Sequence, residues 1–349
     1  MPVFDCDADV LGYHADEVTL GTDDQDEMRS RRDNGRTRLQ TGLERDGHPL
    51  PTEQASQGSY AMRTMHQDPQ TDYDIDDAAY FESADLQDTN GVDLTPESAR
   101  ERVCQALQQD ERLKYPAQNK TNCVRQRYPE GYHIDVPVYR IRRQMDWQGN
   151  ETVICEHASG DRWVRSDARA VTRWYNDQVG ELNSGQADGS QLRRITRLTK
   201  KQARSRMDWK KHTTSGITIT KLVVDHFVRS DREDEALLLT WKAIYAALTV
   251  STQVAHPVME GQNLADEGDA EVQYFGERLG EALEWLAVLE AEGCNLVQAR
   301  KAWDKAFGTN YFTQLPSDDD DDTGGKKRGP FVQVSSGAAK RDDGERRFG

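Results

Sequence analysis

The run Asp72-Tyr73-Asp74-Ile75-Asp76-Asp77 places a carboxylate at every second position. In an extended strand, residues i and i+2 share a face, so Asp72, Asp74 and Asp76 form a ladder of negative charge. Crowding of this kind disfavours ionisation unless a cation neutralises it. Hard oxygen donors at this spacing suit Mg²⁺, which takes one or two carboxylates and completes its shell with water and substrate phosphate. Upstream, Gln57-Gly58-Ser59-Tyr60 offers a glycine that lets backbone come close to a triphosphate, with one hydroxyl beside it. A lone D-x-D is most often a solvated turn. A third acid changes that weighting: Asp135 lies beside His133, on the face opposite Ile134, Val136 and Val138. The chemistry these residues point to is metal-dependent nucleotidyl transfer.

These residues need elements to hold them. The aspartate strand ends at Phe81-Glu82, and Thr95-Pro96-Glu97 reads as an N-cap with proline in the first turn of a helix to about Asp110, burying Val103 and Leu107. Lys120 to Arg127 and Tyr132 to Ile141 read as two strand arms joined by Pro129-Glu130-Gly131. Pro137 cannot donate to a ladder, which predicts an edge position or a strand end. Glu156 to Arg165 reads as irregular. Ser166-Asp167 caps an amphipathic helix that buries Val171, Trp174 and Tyr175. After the loop at 183–189, a basic helix buries Leu192, Ile195 and Leu198. Its Arg193, Arg197, Lys200 and Arg204 make one stripe, which could hold phosphates or pair with the chain's own acids. Thr213-Thr214-Ser215-Gly216 then turns into an apolar helix, and helices over Glu233–Val250, Val272–Glu290 and Leu296–Phe307 pack as a bundle. Between Met28 and about Leu43 an arginine-rich, mostly exposed helix is expected.

Composition narrows the function. The chain has 349 residues, is 36% hydrophobic and carries a net charge of −16. Its mean hydropathy is −0.88. No apolar run approaches a bilayer's thickness, and the N-terminus shows no signal peptide, so no membrane association and a cytoplasmic location are expected. Residues 1–30 hold nine acids against Arg29, whereas residues 190–211 hold nine bases against Asp208. Such a protein is a poor general nucleic-acid binder but a plausible binder of a small polyphosphate. Five cysteines without a C-x-x-C pair argue against zinc and disulfides and for buried free thiols. The expected organisation is an acidic arm over 1–27, a catalytic lobe over 28–189, a helical lobe over 190–315 and a flexible tail over 316–349.

On these residues the chain resembles the bacterial CD-NTases, the cGAS/DncV-like nucleotidyltransferases of CBASS antiphage systems, and within them the bacterial cyclic GMP-AMP synthase branch. Gln57-Gly58-Ser59-Tyr60, Asp74-Ile75-Asp76-Asp77 and His133-Ile134-Asp135-Val136-Pro137 carry the likeness. Trp174-Tyr175-Asn176-Asp177, Leu192-Arg193-Arg194 with Lys200, and Ala306-Phe307-Gly308 extend it. The chain departs from the family at Met62, where the branch has an aromatic residue, and at Lys200-Lys201-Gln202, where Lys-Ala-Trp is common. The resemblance implies an α+β fold: a polymerase-β-like nucleotidyltransferase lobe, a mixed sheet with helices, packed on an α-helical lobe with the active site in the cleft. It implies that Asp74, Asp76 and Asp135 hold two Mg²⁺ (or Mn²⁺), that Asp135 helps deprotonate the attacking hydroxyl, and that Gln57, Gly58, Ser59, Lys200 and Ser215 contact nucleotide. The implied product is a cyclic di- or trinucleotide made from NTPs such as ATP or GTP. The resemblance further implies a ubiquitin-like E1/E2 conjugating partner and a deconjugating peptidase, with Gly349 as the residue conjugated. The alternatives are a template-independent RNA nucleotidyltransferase, which the acidic charge disfavours, and a catalytically idle nucleotide-binding scaffold, which three intact aspartates disfavour.

Overall fold

The computed structural model describes residues 3–68, 73–108, 114–129, 131–145, 147–182 and 191–316. Asp72, the 183–189 loop and the tail with Gly349 lie outside the described residues. The fold is α+β, a mixed sheet joined to a helical bundle.

The first elements are α1 (Asp7–Tyr13), a π-helical turn over His14–Val18, and α2 (Thr22–Arg45). The first of these dock the acidic arm onto the helical core. Val3, Val10, Tyr13 and Val18 are buried in the helical core, and Tyr13 packs on Phe307 and Phe312. The acids between them make long-range bonds: Asp9 pairs with Arg300, and Asp16 accepts from the Tyr311 hydroxyl. Their number signals partners far along the chain, which hold the arm against the fold.

The sheet is built from β1 (Glu53–Gln57), β2 (Tyr73–Glu82), β3 (Gln118–Asn119), β4 (Val124–Tyr128), β5 (Tyr132–Val136), β6 (Val138–Met145), β7 (Glu151–Ser159) and β8 (Arg162–Arg165). Between β1 and β2 lies α3 (Gly58–Ala61), and between β2 and β3 lies α4 (Pro96–Gln108). β1 runs antiparallel to β2, whereas β5 and β6 run parallel to it, in one register. On its far side this line pairs with β4 along β5 and with β7 along β6. Pro137 lies at a strand end, one of the two positions expected for it: it follows Val136, the last residue of β5, and precedes β6. Its carbonyl accepts from Ala79 N at 2.9 Å, and the ladder resumes at Val138. The segment read as irregular is the β7–β8 hairpin, turning at Gly160 with φ 55; its polar, charged strands lack the apolar alternation that marks a half-buried strand.

Ile75, Ala79 and Phe81 of β2 point into one core with α2 and α4. The two helices cross at Gly42, which the sequence had placed near a helix end. A Cβ built on Gly42 would lie 2.6 Å from the Ala106 carbonyl carbon and closer still to its oxygen. Gly42→Ala therefore exposes two opposing effects. The gain in helix propensity is about 1 kcal/mol, while forcing two backbones apart costs about 1–3 kcal/mol or more. Overpacking wins, and the variant is expected to unfold at lower urea than the wild type, with an unchanged m-value.

The bundle comprises α5 (Ala168–Leu182), α6 (Gln191–Ala203), α7 (Met207–His212), α8 (Gly216–Asp225), α9 (Glu233–Leu248), α10 (Ala270–Leu286) and α11 (Leu296–Phe307). Tyr175 and Val179 of α5 belong to this core, as do Leu192, Ile195 and Leu198 of α6. Gly308 ends α11 in the left-handed conformation, with φ 63. Among the described residues no helix is long and apolar enough to cross a membrane.

Candidate active site

Strand register brings the sequence-predicted acids to one face. Asp76 stands between Gln57 on β1 and Asp135 on β5, and Asp74 stands beside His133. Directly paired residues on adjacent strands project to the same side of a sheet. Asp74, Asp76 and Asp135 therefore share a surface opposite Ile75 and Ile134, which face the α2–α4 core. Farther along the same face lie Tyr80 and Tyr139, stacked at 4.5 Å between ring centroids.

The Gly-Ser segment meets the acids through Gly58. Its φ is +65, and a Cβ placed there would collide with Oδ2 of Asp76. Only a glycine lets α3 begin against that carboxylate. Gln57 is buried and, as the direct pair of Asp76, shares its face, near Tyr139. Ser59 is half-buried, and its carbonyl accepts from Thr64 N at 2.8 Å.

Asp135 is held by Arg125, its partner across the β4–β5 hairpin. Nε and Nη2 donate to Oδ1 and Oδ2 at 2.7 and 2.8 Å. The thiol of Cys123, pushed up first by burial and then by Asp135, lies against the same carboxylate. Among the described residues no three metal-binding side chains converge tightly enough to form a cluster. The donor set nonetheless fits a hard divalent cation: carboxylate oxygens on one strand face, approached by a bare glycine backbone.

The segment that contains this arrangement, residues 52–139, matches the family model for the cyclic GMP-AMP synthase DncV-like nucleotidyltransferase domain. Over these residues the chain is similar to a DncV-like nucleotidyltransferase domain. Solved structures share its fold over nearly their whole length. A mutant of the Vibrio cholerae di-nucleotide cyclase DncV superposes with a TM-score of 0.69 at 18% identity, covering 89% of this chain and 97% of that one. The Bradyrhizobium diazoefficiens CD-NTase CdnG in complex with GTP gives 0.65 at 16%, covering 88% and 97%. The Escherichia coli MS115-1 CdnC with ATP gives 0.64 at 15%, covering 87% and 98%.

The basic stripe of α6 has a use that the sequence did not disclose. It grips the backbone that follows α3. Arg193 donates to Met62 O at 3.4 Å, Arg197 to Arg63 O at 3.0 and 2.7 Å, and Lys201 to Gln67 O at 3.0 Å. Arg63 is the one described non-glycine residue with positive φ, at 55°, so the clamp sits on a turn that costs energy to hold. Lys200 is buried, and its Nζ donates to the Thr64 hydroxyl at 3.0 Å. The same Nζ lies 3.9 Å from the Cβ position of Gly216, beside Ser215. Ser215 caps α8, its hydroxyl accepting from Thr218 N at 3.2 Å. Lys200 thus spans the α3 turn and the start of α8, where the backbone N–H groups and helix dipole favour an anion. Met62 packs into the helical core.

Two arginines near the acids escaped sequence reasoning. Arg125 is one. The other is Arg36 on α2, which forms a fork on Asp77 at 2.7 and 2.5 Å while Ser56 also donates to that carboxylate at 2.8 Å. Asp77 is buried on the face opposite Asp76. The helix read as mostly exposed is docked here through its arginines, with Arg38 bonding to Gln126 and Arg31 lying over the Tyr128 ring.

Proposed function

We propose that this enzyme joins nucleoside triphosphates into a cyclic di- or trinucleotide signal of an antiphage defence system. The reading is carried by the shared face of Asp74, Asp76 and Asp135 with Gly58 against Asp76. In each step an acceptor ribose hydroxyl attacks the α-phosphorus of a donor NTP. One P–O bond forms, the bond to pyrophosphate breaks, and the hydroxyl proton passes to Asp135 and then to solvent. Asp74, Asp76 and Asp135 hold two Mg²⁺ ions, and the bound ions supply charge neutralisation for the attacking and leaving oxygens. Gly58 and Ser59 keep the donor triphosphate close to the acids. Lys200, with the Ser215-capped start of α8, supplies positive charge for its phosphates. Gln57 stands beside Asp76 on the same face and helps position the donor triphosphate. The family match supports the reaction class, and solved relatives in complex with ATP or GTP support NTP substrates.

The same reading extends to partners. The C-terminal tail is proposed to present Gly349 to a ubiquitin-like E1/E2 enzyme, with a peptidase reversing the bond.

The test is incubation of the purified chain with four NTPs, labelled one at a time, and Mg²⁺, followed by phosphatase and mass spectrometry. A phosphatase-resistant cyclic product is expected. Long linear products would replace this reading with RNA-end addition, and bound but unturned nucleotide would replace it with a scaffold.

A further inference from the structure

We propose that Arg125 is a positioning residue of the reaction, holding the Asp135 carboxylate in its working orientation and standing in for a cation at the acid cluster. The proposal rests on the reading of Asp135 given above.

The Arg125 and Asp135 side chains are only 2% and 3% exposed. A buried ion pair contributes little to stability compared with an apolar pair of the same size. The neighbouring register pair of the same hairpin is such an apolar pair, Val124 with Val136. Stability therefore gives no reason to build an arginine here, whereas the charge distribution does. Asp76 and Asp135 are direct neighbours on adjacent strands, and Asp74 lies one step along the same face. The guanidinium offsets part of this charge without leaving the sheet.

Geometry adds a second role. A fork that donates to both oxygens fixes the carboxylate plane, which a lysine's single ammonium cannot do. An ionised carboxylate has about four lone-pair sites, of which Arg125 takes two. The remaining pairs keep a defined direction and stay available for a ligand. His133 Nε2, 3.9 Å from Oδ2, borders the carboxylate on a second side. Arg125 touches no nucleotide in this scheme and acts only through Asp135.

The experiment compares full-length wild type with Arg125→Gln, Arg125→Lys, Asp135→Asn and the double variant Arg125→Gln/Asp135→Asn. Two quantities are read: kcat with NTPs, and Mn²⁺ binding without nucleotide, from the paramagnetic resonance signal of free Mn²⁺. Arg125→Gln removes a positive charge near the site and should bind Mn²⁺ about tenfold more tightly. Its kcat should fall about 100-fold, as expected for a displaced catalytic group. Arg125→Lys keeps the charge but loses the fork, so Mn²⁺ binding should match wild type while kcat drops. In the Asp135→Asn background, Arg125→Gln should lower kcat no further. Equal losses in both backgrounds, or unaltered Mn²⁺ affinity in Arg125→Gln, would overturn the proposal. Should Arg125→Gln fail to fold, the lysine variant and the neutral double variant against Asp135→Asn decide it. A wild type that makes no product counts against the proposed function. The Mn²⁺ comparison still reads the charge of Arg125 in that case.

Discussion

Alanine at both Asp74 and Asp76 is expected to abolish product formation while leaving the protein folded. The two side chains occupy the same face of β2, and Asp76 is the one that Gly58 approaches. Removing a single preorganised electrostatic group from a reacting centre typically costs about 10²–10³ in rate. Loss of both carboxylates also removes the ligands proposed for the divalent ion, so a fall of at least ~10³ follows. Stability depends on other residues of the strand. Ile75, Ala79 and Phe81 are fully buried in the core beneath, and Ala78 and Tyr80 are buried on the upper face. Replacing two clustered acids touches neither set and relieves mutual repulsion. The checks are product yield by mass spectrometry and thermal melting by circular dichroism. Product at the wild-type level would remove these aspartates from the mechanism. Loss of the melting transition would show instead that they hold β2 in place.

Those aspartates were legible because period-two alternation is a local property. Ile75 had to face a core, so Asp74 and Asp76 had to face away from it. Thr95, whose hydroxyl accepts from Ser98 N at 3.1 Å as α4 begins, was legible for the same reason, as was the left-handed Gly308 that closes α11. What stayed hidden depends on residues far apart in sequence. Arg125 and Asp135 face each other only once the hairpin register is set, and Arg36 finds Asp77 only when α2 docks. The stripe on α6 could be seen, but its partners could not. Phosphates and acidic side chains were the expected partners, whereas the observed partners include the carbonyls of Met62, Arg63 and Gln67. Backbone acceptors carry no sequence signature. The same limit explains the N-terminal segment, where Asp9 answers Arg300 across almost the whole chain. Pro137 was legible because its missing donor is a local property, and it marks the break between β5 and β6.

Gly58→Ala is expected to cripple turnover at a small cost in stability, and Gly47→Ala separates the two effects. Both glycines have left-handed φ, +65 at Gly58 and +69 at Gly47, so an alanine at either adds backbone strain of about 1–3 kcal/mol. They differ in what the new methyl meets. Nothing lies within 4 Å of the Gly47 Cβ position, whereas the Gly58 methyl would overlap Oδ2 of Asp76. Asp76 cannot retreat through β2, which is paired on both sides at that residue, with Gln57 and with Asp135. Its carboxylate must rotate, or α3 must lift away together with Ser59. Either movement displaces a proposed ligand by a distance comparable to 1 Å, which costs about 10²-fold in rate. Gly47→Ala should therefore lose stability and keep its kcat, while Gly58→Ala loses a similar amount of stability and about 10²-fold in kcat. Urea unfolding and single-turnover rates on both variants supply the comparison. Equal rates in the two would mean that the close approach of Gly58 to Asp76 serves the fold and not the reaction.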